Sequence, residues 1–371
     1  CMFRSKLHLA RQGADLYTIG TLIATGFAAY FLVPKDFHAH ASAVLAIVAL
    51  TLFTSFKLSW TKHMVWAFVT AATALAMYRL FPELMSQQHF TWFNLLSFAA
   101  ICAPLVYGYM QASRAQVTSP CVLFETAALL IFTATIVALL RNLFAKTGNL
   151  EYLELGFYAA LALVMAGVQL RRANVAQNMQ TPRTVLAIVY TVGAAISYIG
   201  AVAASPLWFD GALAHGIPPV STVFLAYCLA PALLILGVWK TDLIELSPQS
   251  NTPLFAVGAL IISFVVIQEV RHFWHGPEIS LLRGVLGNEL YTYTVMMLVA
   301  TISLVFLALK RQDTDLRRYA LIAAALTAAK VFAFDMSGMA GLTRATAFIL
   351  LGLSLAGIGW LLQGMQEKNE A

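Results

Sequence analysis

The last third of the chain sets ionisable side chains at the ends of apolar runs. Glu269 and Arg271 close one run, with His272, His275 and Glu278 just after. Glu289 opens the next, followed by Tyr291 and Tyr293. Lys330 stands inside a third, between Ala325-Leu326-Thr327-Ala328-Ala329 and Val331-Phe332, and Asp335 follows it. Arg344 begins a fourth. Charge is costly in hydrocarbon, so such residues are functional candidates by default. Acids, bases and aromatic hydroxyls at one depth can bind a polar head group or a sugar, or pass a proton. A plainer reading covers the same residues: long cations near span ends reach the interface, and nearby acids pair with them. Lys330 fits that reading least. Its expected partner is a carboxylate, with Asp335, Glu289 and Glu269 as the choices.

Other chemistry is less well supported. Glu125 is a second acid within an apolar run and reads best as a helix-start acid or as one half of a pair with a neighbouring span. His38 and His40 with Asp36, or His272 with His275, supply only part of a metal site. No metal centre and no cofactor is expected. No phosphate-binding glycine loop and no nucleophile-elbow pattern appears.

The elements that must carry these residues follow from composition. Of 371 residues, 60% are hydrophobic and 11% charged, against roughly 25% charged in a soluble domain. A soluble globule could not cover its core with so little polar surface. A span needs about 20 apolar residues. The expected fold is therefore all-α, a polytopic transmembrane bundle of about 12 spans arranged as helical hairpins. They fall near 14–33, 40–56, 63–80, 91–110, 120–140, 153–170, 184–204, 217–239, 252–269, 288–309, 318–335 and 343–362. Pro104 and Pro231 lie inside spans and are expected to kink them. The whole of 1–371 is expected as one membrane domain, with N-terminal hairpins over 1–250 and a four-helix region over 251–371.

Orientation follows from loop cations. Of the 23 Lys and Arg, fifteen fall on the side of the N-terminus and eight on the other. Both termini are thus expected in the cytoplasm, which places the last-third cluster on the outer leaflet. Three outward-going spans end alike, at Arg79-Leu80-Phe81, Arg141-Asn142-Leu143-Phe144 and Arg271-His272-Phe273-Trp274. Glu154-Leu155 and Glu289-Leu290 open the spans that return from the second and third. This is a weak parallel repeat, as in some transporters, and amphipathic constraint alone produces the same pattern. Cys1 is expected to mark either a fragment or processed product of a longer chain or a lipid-acceptor cysteine, and the topology favours the first. Cys102, Cys121 and Cys228 read as small apolar residues.

Lys330-Val-Phe-Ala-Phe-Asp335-Met-Ser337-Gly338-Met-Ala-Gly341-Leu-Thr-Arg344, then Phe348 and Gly352-Leu-Ser-Leu-Ala-Gly357-Ile-Gly359-Trp360, resembles a known signature. So do Glu269-Val-Arg271-His272-Phe273-Trp274-His275-Gly276-Pro277 and Glu289-Leu-Tyr291-Thr-Tyr293. Together, over about 265–362, they resemble the bacterial membrane-protein family called domain of unknown function 2339. The resemblance implies a multi-span bacterial inner-membrane protein and brings no activity with it.

Three functions are expected to compete. One is a permease or binding protein for an envelope-related small molecule or lipid, using Glu269, Arg271, Glu289, Lys330, Asp335 and Arg344. Another is a membrane-embedded enzyme on a lipid-linked or surface glycan, with His272 or His275 as acid/base. The last is a non-catalytic scaffold for a protein partner. The bilayer is the expected surrounding, and no nucleic-acid partner is expected.

Overall fold

The computed structural model describes residues 2–56, 61–85, 92–145, 150–175, 180–241, 251–312 and 314–331, with isolated positions beyond. Among the described residues there are eleven α-helices. They are α1 (Met2–Leu32), α2 (His38–Phe56), α3 (Thr61–Met85), α4 (Trp92–Arg114), α5 (Thr118–Ala145), α6 (Glu151–Val175), α7 (Gln180–Ala203), α8 (Thr222–Thr241), α9 (Asn251–His275), α10 (Gly287–Arg311) and α11 (Thr314–Lys330). Each of the first eleven expected spans meets one helix. The twelfth, 343–362, lies almost wholly outside the described residues. By length and composition, eight of the described helices can cross a membrane, so the expected count of about twelve is not reached on that measure. Among those that miss it, α8 offers only a shorter apolar stretch, Thr222–Leu236, and α11 has 17 residues. The exposed faces fit hydrocarbon rather than water. Ile188, Ile196 and Ile199 on α7, and Val299, Ile302 and Phe306 on α10, are all more than half exposed.

The chain divides into two compact units. The first is Cys1–Ala204 with Leu225–Thr252. Its core is built from stripes spaced at three and four residues, the period of one helix face. α2 contributes Ala39, Ala43, Ala46, Ala49 and Leu50, and α3 contributes Val65, Val69, Ala72 and Ala76. Phe98, Ile101 and Leu105 of α4 meet Phe124, Ala127 and Ile131 of α5 in the same cluster. Small residues let helix backbones approach closely where lipid supplies no hydrophobic drive between helices. Pro104 and Pro231 sit inside continuous helices.

A close backbone approach in this unit is at Gly156 of α6. A Cβ there would lie 2.4 Å from the Ala226 carbonyl oxygen and 2.8 Å from its Cα. Backbone cannot step aside as a side chain can. Gly156→Ala is expected to destabilise by about 1–3 kcal/mol through overpacking, seen as a lower melting temperature in detergent. Gly167 on the same helix has nothing within 4 Å, so Gly167→Ala serves as the unaffected control.

The second unit is Ser205–Phe224 with Pro253–Ala371. It holds α9, α10, α11 and a two-stranded hairpin, β1 (Gly216–Ile217) and β2 (Val220–Ser221), with Gly216 opposite Ser221. Span eight is expected from 217, but α8 starts at Thr222. Pro218 and Pro219 lack the N–H that a helix interior needs, and they form the hairpin turn instead. Gly216 is fixed by geometry: its φ is +101°, and a Cβ would stand 2.9 Å from the Val220 carbonyl oxygen. The hairpin segment is tied to the α9–α10 loop by Ala214 N–H to the Pro277 carbonyl, 2.8 Å, and by Leu281 N–H to the Leu207 carbonyl, 2.9 Å.

Candidate functional site

Arg271 lies in the last turn and a half of α9 and is 1% exposed. Four of its five guanidinium N–H donors are engaged. Nε donates to the Ile279 carbonyl at 2.8 Å, and Nη2 donates to the carbonyls of Ser280 at 2.7 Å and Gly284 at 2.9 Å. Nη1 donates to Glu289 Oε1 at 3.0 Å. Glu289, fully buried at the start of α10, is equally occupied. Its Oε1 also accepts from the Tyr293 hydroxyl at 2.7 Å. Its Oε2 meets His275 Nε2 at 2.9 Å and the Leu286 N–H at 3.1 Å. This network welds the loop between α9 and α10 to both helices. A buried pair is stable only when its remaining hydrogen-bonding positions are filled, as here.

The same design recurs in the first unit. Arg141 near the end of α5 stands 3.7 Å from Glu154 Oε1 at the start of α6, and Tyr158 donates to that carboxylate. In each copy the tyrosine is four residues after the glutamate, one turn along the same face. Arg79 of α3 lacks such a glutamate and donates to the Asp36 carbonyl at 2.9 Å and the Ser97 hydroxyl at 3.1 Å. The Arg–Glu–Tyr group is therefore a hairpin clasp.

Glu269 and His272 differ from this clasp. Both are largely buried, and Glu269 Oε2 lies 4.0 Å from His272 Nδ1. Neither of those two atoms has a hydrogen-bond partner. The other carboxylate oxygen, Oε1, accepts from the Ser221 hydroxyl. Ser221 in turn caps α8, accepting from the N–H groups of Val223 at 3.0 Å and Phe224 at 3.3 Å. One edge of Glu269 is thus anchored, and the other is turned to His272 across a gap too wide for a hydrogen bond. Beside the pair, Gln268 is fully buried and accepts from the Ser205 hydroxyl at 2.8 Å.

Of the remaining expected residues, those described do not join Glu269 and His272. Lys330 Nζ donates to the Leu290 carbonyl at 2.6 Å and to the Thr294 hydroxyl, both on α10. The carboxylates of Glu289 and Glu269 are engaged as described above, and Asp335 and Arg344 lie outside the described residues. Tyr291 is 47% exposed and lies about 200° round α10 from Glu289, away from the clasp. Glu278 pairs with Arg283 in the exposed loop. Ser221, Ser205 and Gln268 are missing from the sequence reading. Only Ser221 carried a signal, a serine directly before an apolar run. Among the described residues, no three His, Cys, Asp or Glu side chains are grouped so as to hold a metal ion.

Glu125 belongs to a separate cluster in the first unit. Its Oε2 accepts from Arg183 Nη2 of α7 at 2.7 Å, and its Oε1 is 2.6 Å from Arg172 Nη1 of α6. Arg183 Nη1 also donates to the Arg172 carbonyl at 2.9 Å. The Arg172 guanidinium lies over the Tyr109 ring, 5.9 Å from its centroid, and bonds its hydroxyl at 3.3 Å.

No curated protein and no solved structure matches this chain. A family profile does, over residues 7–365. The resemblance over about 265–362 is therefore too narrow. The N-terminal hairpins carry few charges or glycines to mark them, yet they belong to the same pattern. With its long apolar helices, the chain is a membrane protein and belongs to the family described as Predicted membrane protein (DUF2339).

Proposed function

We propose that the protein is a permease or binding protein of the bacterial inner membrane, with both termini cytoplasmic. Its working site is Glu269 with His272, facing the periplasmic side, and its cargo is an envelope-related small molecule. One observation carries the reading: two buried polar atoms, Glu269 Oε2 and His272 Nδ1, stand 4.0 Å apart without partners. Neighbouring Arg271 and Glu289 have theirs filled. Buried polar groups left open are rare and costly unless something else completes them. A carboxylate oxygen accepts only, so the matching group on the solute is a donor, an ammonium or a hydroxyl. Protonation of the histidine and release of the donor give a route for proton coupling.

The test is uptake by purified protein in proteoliposomes under an inward proton gradient, with isotope-labelled small amines and polyols as probes. Accumulation of one probe class, collapsed by a protonophore, is the expected result. No accumulation of either class, with the protein shown to be folded, contradicts it.

A second reading rests on the same geometry. A carboxylate facing the Nδ1 of a histidine is the arrangement that orients a general base. A membrane-embedded hydrolase or transferase would then release a chemically altered product, where a permease returns the probe unchanged. Mass analysis of the recovered probe separates the two.

A further inference from the structure

An apolar groove runs between α4 and α5 in the first unit. Its volume is about 660 Å³, and Phe98, Cys102 and Val106 line one wall while Phe132, Ile136 and Leu139 line the other. The α4 wall extends from Leu95 to Met110. At 1.5 Å per residue that is about 22 Å, longer than the roughly 15 Å half-thickness of a bilayer core. A groove of that length takes an extended acyl chain.

One end of the groove is charged. On α5, Phe132, Ile136 and Leu139 form a single stripe, and the same stripe reaches Glu125 seven residues before Phe132. On α4, Tyr109 continues the edge made by Phe98 and Cys102, at eleven- and seven-residue spacing. Gly108 packs against the Phe124 ring, which sets the C-terminal end of α4 beside the N-terminal end of α5. Glu125, Tyr109, Arg172 and Arg183 therefore stand at this end. Two guanidiniums face one carboxylate, and the charge excess is positive. Arg172 is 44% exposed, and buried Arg183 keeps an Nε without a hydrogen-bond partner. Arg171 and Arg114, both exposed, add cations at the ends of α6 and α4.

We propose that this is a binding site for an anionic phospholipid. One acyl chain fills the α4–α5 groove, and the phosphate docks on Arg172. The cation excess at the groove's end selects the anionic head group, and the groove's length selects a lipid over a free anion. Basic pockets between membrane helices bind acidic lipid head groups in this manner. Glu125 keeps both arginines in place between occupants, so the site does not collapse when empty. The site is separate from Glu269 and His272 and does not depend on their role.

The test is native mass spectrometry and thermal unfolding of the full chain in detergent, with phosphatidylglycerol and phosphatidylcholine of identical chains as probes. Retention of phosphatidylglycerol about tenfold over phosphatidylcholine is expected, with a melting temperature raised only by the former. R172Q should remove most of that preference. A99W, which fills the groove at a distance from the charges, should lower retention of both lipids. Glycerol phosphate alone should do little. Equal retention of the two lipids, an undiminished preference in R172Q, or a full effect from glycerol phosphate each overturns the proposal. R171Q, on an exposed neighbour, reports whether charge loss alone at this end mimics R172Q. An equal loss of preference there also overturns the assignment to Arg172.

Discussion

Arg271→Ala is expected to abolish accumulation of folded protein. The substitution leaves Glu289 buried without its cation and strips donors from the carbonyls of Ile279, Ser280 and Gly284. Breaking a buried pair by removing one partner costs about 3–5 kcal/mol. The orphaned carbonyls add to that, at about 1–3 kcal/mol each where they stay dry. Whole-protein stability is on the order of 5–15 kcal/mol, so little margin survives. Fluorescence-detected size exclusion of a tagged protein measures the outcome, and a monodisperse peak at normal yield would contradict it. The double variant R271M/E289L removes both charges at once and should recover only part of the loss, because the loop carbonyls remain unpaired. Full recovery would mean that the ion pair matters and the loop anchoring does not. Arg141→Ala gives the scale from the other clasp. That arginine is 42% exposed and 3.7 Å from Glu154, so its loss should cost at most about 1 kcal/mol.

Glu269→Gln and His272→Gln are expected to behave in the opposite way. The glutamine at 269 keeps an acceptor for the Ser221 hydroxyl, and neither change removes a bond that holds a loop. Yield and melting temperature should stay close to those of the parent. Function should fall by about 100-fold or more, the scale of losing a positioned acid or base. In the proteoliposome assay this reads as uptake at background. Unchanged uptake in both variants would remove Glu269 and His272 from the working site. Lost uptake together with lost folding would place them in the scaffold with Arg271.

The helices were legible because apolar runs bounded by charge are a strong signal in a chain with so few charges. The boundary expected at 217 failed at a Pro-Pro pair that turns a hairpin, in a segment whose Ala214 and Leu207 bond the loop of Pro277 and Leu281. The importance of Arg271 and Glu289 was legible from the cost of charge in hydrocarbon. Their saturation was not, because three of the four acceptors on Arg271 are backbone carbonyls, and carbonyls have no letter in the sequence. Lys330 is expected to meet a carboxylate, and its partners include the carbonyl of Leu290 and the hydroxyl of Thr294, which no sequence pattern announces. In sequence, Arg172 and Arg183 read as loop cations that set topology. Only the packing of α5, α6 and α7 turns them toward Glu125. The contrast between open Glu269 and closed Glu289 is likewise a matter of local geometry, since both are acids near a histidine.

Thiol accessibility tests that contrast most directly. Single cysteines at Glu269 and His272, and at fully buried Ile279 in the clasp loop, would be exposed in a cysteine-free protein, in intact cells, to a small membrane-impermeant thiosulfonate. The variants that keep normal yield are the ones compared. Labelling from outside at 269 and 272, with 279 labelled only after denaturation, is the result expected of a water-reached site beside a closed clasp. Protection of all three from both sides of the membrane would contradict it, and would leave Glu269 and His272 as a buried pair with nothing to bind.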